Sequence, residues 1–206
     1  MRILVFGATG GTGREVVLQG AARGHQVAAF VRDPKGLGEV PAGVEVVEGQ
    51  ALDAGAVAAA LRGRDAVVTA LGTRPWRHTD ICSLGTANII AAMQSNGVKR
   101  IVCVSSLGVA ESLEYSSFLA RQFFRVIGRA LRDKAVMEES LRQSGLDWVV
   151  VRPTILRGGP ATGQVRAAVD ASIGAGSIRR ADVAAFCLDQ LASDQYLHAL
   201  PVITGA

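Results

Sequence analysis

The stretch "RILVFGATGGTGR", Arg2–Arg14, decides the fold. Its first half is an apolar run of strand length, and its second half is a glycine loop that leads into the helical pattern Gly13–Arg23. Gly7, Gly10 and Gly13 stand three apart, whereas the common dinucleotide fingerprint sets its first two glycines two apart. Glycines at a strand-to-helix turn let the backbone approach a pyrophosphate and let the helix pack close to the strand. The amides and positive end of the helix then face the phosphates. Thr9 and Thr12 add hydroxyls, and Gly11 lies within the loop. No Gly-Lys-Ser/Thr follows, which excludes a Walker loop.

Strand and helix patterns alternate beyond it. Gln26–Val31 and Val44–Glu48 read as strands, Ala54–Leu61 as a helix and Asp65–Ala70 as a strand. Thr79–Asn96 reads as a long helix and Arg100–Ser105 as a strand. A helical stretch over Ser117–Ser144 precedes the strand Trp148–Arg152. The tail is less regular, with strand patterns at Gln164–Ala171 and Leu200–Ile203 and a helix over Arg180–Ala192. Alternating β and α with two-sided apolar strands predicts an α/β fold: a doubly wound parallel sheet with helices on both faces. Without internal repeat or linker, residues 1–206 read as a single Rossmann-type domain with a small C-terminal substrate-side extension.

The 206 residues are 49% hydrophobic and 19% charged, which suits a packed core and excludes a disordered chain. No apolar run approaches the ~20 residues a membrane helix needs. The chain enters a strand at once, so no leader is expected and the location is read as cytoplasmic. Cys82, Cys103 and Cys187 are odd in number and widely spaced, as suits reduced thiols; no metal site is expected. A net charge of +4 is a mild bias towards anionic ligands, so neither nucleic acid nor membrane is an expected partner.

The second strand ends in "VRDP". An acid near this point grips the ribose 2′-hydroxyl of NAD, whereas the guanidinium of Arg32 suits the 2′-phosphate of NADP. NADP is preferred, and Asp33 keeps NAD open. Lys35 and Arg14 are further candidates for the phosphate, each with a solvated alternative. Gln50, with Ala51 beside it, could meet adenine, and Asp53 reads as a helix N-cap. "ALGTR" ends the fourth strand at the predicted switch point, which places Leu71, Gly72 and Arg74 at the cofactor cleft.

"GATGGTG", "VRDP", "ALGT", "RIVCVSS" and "SGLDWVVVRPTIL" occur in the order and spacing of the atypical short-chain dehydrogenase/reductase proteins, the NmrA-like NAD(P)-binding group. The chain most resembles the flavin reductase/biliverdin-IXβ reductase type. The resemblance is strong to about Pro153, and "SIRRADVAAFCLDQL" resembles the family's last helix. It implies that Gly7, Thr9, Gly10, Thr12 and Gly13 form the phosphate loop and Arg32 the 2′-phosphate contact. Leu71, Gly72 and Arg74 would form the nicotinamide-side turn. Ser106, with Ser105 before it, would stand beside the nicotinamide as the catalytic candidate. Pro153, Thr154 and Ile155 would form a loop whose backbone amide meets the carboxamide. Thr154 departs from the histidine that the resembling type carries there.

Many short-chain reductases pass a proton through a Tyr-x-x-x-Lys pair. Here Lys134 stands at a plausible lysine position, but Ala130 is four residues before it, and Tyr115 has no such partner. Lys134 therefore reads as a solvated helix lysine before a ribose ligand. The missing phenol argues against carbonyl–alcohol interconversion but not against hydride transfer to a flavin, quinone or tetrapyrrole, which spreads the incoming charge itself. The expected activity is NADPH-dependent reduction of a small, flat, anionic acceptor by a monomer or weak homo-oligomer. The alternative is a non-catalytic redox sensor of NmrA type. Arg121, Arg125, Arg129 and Arg132 would line one helix face, read as a solvated stripe or as a basic rim.

Overall fold

The computed structural model describes residues 1–72, 80–109, 128–170, 172–173 and 176–206. Among these are ten strands: β1 Arg2–Phe6, β2 Gln26–Val31, β3 Glu45–Glu48, β4 Ala66–Thr69, β5 Arg100–Val104, β6 Asp147–Pro153, β7 Ile155–Arg157, β8 Val165–Ala168, β9 Ser177–Arg179 and β10 Val202–Gly205. The helices are α1 Gly11–Ala22, α2 Ala54–Ala60, α3 Ile81–Asn96, α4 Gly128–Arg142 and α5 Arg180–Asp189. Eight strands form one sheet in the order β3-β2-β1-β4-β5-β6-β10-β8, parallel except for β8 against β10. This is the doubly wound arrangement, and its switch point lies between β1 and β4.

Alternation along β1 explains the two layers. Ile3 and Val5 face the core built with Val16 and Val17 of α1 and Val183, Ala184, Cys187 and Leu188 of α5. Leu4 and Phe6 face the opposite core, with Val57 of α2, Ile89 and Met93 of α3, and Met137 and Leu141 of α4. Both cores are fully buried, so the sheet is apolar on each face, as a covered parallel sheet requires.

The predicted strands and helices up to Asn96 form within two residues of their expected limits. Asp80, without a side-chain bond, stands at the N-cap of α3; the carboxylate of Asp133 on α4 takes the Cys82 and Ser83 amides instead, at 2.9 and 2.8 Å. The predicted helix Ser117–Ser144 is found as α4 from Gly128; its earlier part lies outside the described residues. The tail holds two strands that the pattern did not suggest: β7 and β9, three residues each, pair in parallel as a separate small sheet. Buried Asp182 ties the intervening chain to α5 by accepting from the Thr162 amide and hydroxyl and the Gly163 amide at 2.8–2.9 Å. Among the described residues no helix is long and apolar enough to cross a membrane.

Candidate functional site

The parallel topology brings the ends of β1, β2, β4, β5 and β6 to one edge of the sheet. Gly7 sits at the switch point with φ +74°, and a Cβ there would stand 2.4 Å from the Ala70 carbonyl oxygen. A Cβ on Gly13 would stand 2.2 Å from the Gly7 carbonyl oxygen. The two glycines thus let the loop, α1 and the end of β4 close on one another. The Gly10 amide donates to Gly7 O at 2.9 Å and completes the turn. Among the described residues no side chain caps α1, and its first turn carries no acidic residue, so its positive end stays available to an anion. Thr9 and Gly11 are exposed, and Thr12 is buried in the first turn.

Beside this loop, Arg32 is exposed and has no hydrogen-bond or ion-pair partner among the described residues. The carboxylate of Asp33 instead accepts from the Lys35 amide at 3.0 Å and caps the short 3-10 turn Pro34–Leu37. Arg14 is engaged within the protein: its guanidinium donates to Leu37 O at 3.2 Å and Glu39 O at 2.9 Å, holding the chain after β2 against α1. Gln50 is exposed, and Asp53 caps α2 through the Ala56 amide at 3.0 Å. Ala51 is buried, and its carbonyl takes the Asn88 amide group at 3.0 Å. Leu71 is half-buried and Gly72 exposed with open space where a Cβ would stand; Arg74 lies outside the described residues.

At the end of β5, Ser105 is buried and its hydroxyl donates to Glu138 Oε1 at 2.5 Å. Glu138 also receives Arg152 through Nε at 3.2 Å and Nη2 at 2.6 Å, a forked ion pair between side chains 1% and 3% exposed. Ser106 follows this buried set, half-exposed, with no hydrogen-bond partner among the described residues. Lys134 is not the solvated lysine its position suggested. It is half-buried, and its ammonium donates to Val104 O at 3.1 Å, directly behind Ser105 and Ser106. An ammonium has three donors, so donors remain for a neighbour at this end of the sheet.

Pro153, Thr154 and Ile155 differ from the expected loop. Pro153 closes β6, and Ile155 opens β7. The Thr154 amide donates to Ile203 O at 3.0 Å and the Ile155 amide to Gly176 O at 3.2 Å, while the Thr154 hydroxyl meets that of Thr204. In this conformation neither amide is open to a carboxamide, because β10 and the residue before β9 have taken them. Arg129 and Arg132 are exposed on α4; Tyr115, Arg121 and Arg125 lie outside the described residues.

Arg180, which no motif in the sequence marks, lays its side chain across Gly11 at the mouth of the loop. The available signal was a cation at the first position of a helix, where the macrodipole disfavours it. The cysteines form no site of their own. All three are buried, and burial pushes the thiols of Cys82 and Cys187 up to about 12 and that of Cys103 higher still, so none is a thiolate nucleophile at neutral pH.

A parallel sheet with a glycine cradle and an uncapped helix end at its switch point defines a dinucleotide-binding protein of the reductase-like Rossmann class. The chain belongs to the NAD(P)H-binding family, whose model matches residues 7–194. It is 30% identical over 208 residues to an uncharacterised chloroplastic protein of Arabidopsis thaliana, covering 94% of this chain and 73% of that one. It is 35% identical over 153 residues to the (4-alkanoyl-5-oxo-2,5-dihydrofuran-3-yl)methyl phosphate reductase of Streptomyces griseus, a match covering 73% of this chain but only 46% of that reductase. In three dimensions it is similar to ChuY, an anaerobilin reductase from Escherichia coli O157:H7, with a TM-score of 0.84, 28% identity, and coverage of 100% of this chain and 97% of that one. The resemblance to the biliverdin reductase type therefore extends to the fold.

Proposed function

We propose that this protein is an NADPH-dependent reductase that delivers hydride to a small, flat, conjugated acceptor such as a flavin or tetrapyrrole. The observation that carries the cofactor choice is the contrast at the end of β2: among the described residues Arg32 has no partner, while Asp33 is engaged as a cap. The residues fit a dinucleotide, because Gly7 and Gly13 leave no room for a Cβ and so draw the loop tight against α1 and the end of β4, with the first turn of α1 free of acidic residues beside it. When bound, the nicotinamide supplies the hydride, and water can supply the proton to an acceptor that delocalises its charge. The chain's own task is binding and orientation. Ser106 offers a hydroxyl at the reactive end, and Lys134 holds a cation behind it. An anionic acceptor is favoured by the net charge of +4 and by exposed Arg129 and Arg132. The structural likeness to an anaerobilin reductase supports a tetrapyrrole-sized acceptor.

Arg32→Ala should remove one charge-assisted contact and weaken NADPH binding about 10- to 150-fold, from about 1.5–3 kcal/mol. NADH binding should hardly change. Titration of both nucleotides checks this, and an equal loss for both overturns the 2′-phosphate assignment. A second reading, a redox sensor that binds the nucleotide without consuming it, is favoured by Ala130, which puts no phenol four residues before Lys134. Turnover assays separate the two readings.

A further inference from the structure

We propose that Arg180 is a ligand of the cofactor's diphosphate, carried on the C-terminal helix and admitted to the phosphate loop by the absence of a side chain at position 11. This rests on the reading that the glycine loop holds the dinucleotide. A Cβ built on Gly11 would stand 2.7 Å from Arg180 Cδ, 3.0 Å from Nε and 3.9 Å from Cζ. The stem of the arginine therefore fills the space that any other residue at position 11 would occupy. Its guanidinium lies against the first turn of α1.

Two helices fix this placement. Gln19 of α1 donates to Ala181 O at 2.9 Å, and Arg23, one residue past α1, pairs with Asp189 of α5 at 2.6 Å. Arg180 is the first residue of α5, and its side chain reaches from there to the start of α1. A guanidinium in this position meets the positive end of α1, an arrangement that an anion beside them would relieve. Among the described residues no protein group plays that part. Asp182, the acid in the first turn of α5, is used by Thr162 and Gly163. Among the described residues Arg180 has no hydrogen-bond or ion-pair partner, in contrast to Arg14, Arg23, Arg64 and Arg100, each of which has one. A planar guanidinium donates two parallel hydrogen bonds to a phosphate group, and a diphosphate is the anion that a dinucleotide presents at this turn.

The diphosphate is common to NADPH and NADH, which separates Arg180 from Arg32. Arg180→Met keeps the apolar stem over Gly11 and removes the charge. It should raise the dissociation constants of NADPH and NADH alike, each about 10-fold, as expected for one lost charge-assisted contact. Binding of 2′-AMP, which has the 2′-phosphate and no diphosphate, should be unchanged, and Arg180→Lys should recover part of the loss. Unchanged affinity for both dinucleotides in Arg180→Met overturns the proposal. So does an equal loss of 2′-AMP binding, which would show a distorted loop rather than a missing contact. If the unmodified protein binds neither dinucleotide, the cofactor reading itself fails and this assignment falls with it. Selective loss of NADPH alone would return Arg180 to the 2′-phosphate and also overturn the proposal.

Discussion

Gly13→Ala is expected to weaken binding of either dinucleotide by more than about 100-fold and to lower the melting temperature by roughly 5–10 °C, the effect of about 2–3 kcal/mol of overpacking in a chain of this size. The added methyl would stand 2.2 Å from Gly7 O, 2.7 Å from Gly7 C and 3.1 Å from Ala8 Cα. All three atoms are backbone, so no side chain can rotate away. Gly7 cannot retreat either, because the space beyond its Cα is filled by the Ala70 carbonyl. Relief requires the whole loop to move off α1, which carries away the amides that would face the phosphates. Titration with NADPH and NADH, alongside thermal unfolding, measures both effects. A variant that is destabilised yet binds both nucleotides normally would show that this loop does not hold them.

Glu138→Leu is expected to cost about 3–5 kcal/mol of stability, because it leaves a buried guanidinium without its carboxylate. Glu138 takes two nitrogens of Arg152 and the hydroxyl of Ser105, and all three side chains are at most 3% exposed. The cost is one of broken pairing, so Glu138→Leu combined with Arg152→Met should recover much of it. Denaturant unfolding of the two single variants and the double variant gives the coupling. Additive losses would mean that the pair is not energetically linked. The effect should reach the site as well, since Ser105 immediately precedes Ser106 and its hydroxyl anchors the end of β5 to α4.

The doubly wound fold was legible because its signals are local. The parity of Ile3, Leu4, Val5 and Phe6 marks a two-sided strand, and the glycine loop marks the turn into α1. The ends of the strands were legible for the same reason, which is how Gly7, Arg32, Gly72 and Ser106 fall at one edge. What was not legible depends on partners far apart in the chain. β7 and β9 are three residues each and too short to show a period; they exist because each supplies the other's hydrogen bonds. The amides of Thr154 and Ile155 are taken by β10 and by the residue before β9, some 20–50 residues later, so a motif alone leaves them looking open. Lys134 and Glu138 share a face of α4, but only the packing of that face against β5 turns a surface pattern into a half-buried ammonium and a buried carboxylate. Arg180 is separated from Gly11 by nearly the whole chain.

The decisive observation is nucleotide consumption: anaerobic mixing of the protein with NADPH and, in turn, FMN, riboflavin, a quinone and a linear tetrapyrrole, followed by absorbance of both partners. Reduction of at least one flat acceptor in step with NADPH loss, and faster than with NADH, is the expected result. Tight NADPH binding with no oxidation by any acceptor would contradict a reductase and leave the nucleotide sensor in its place.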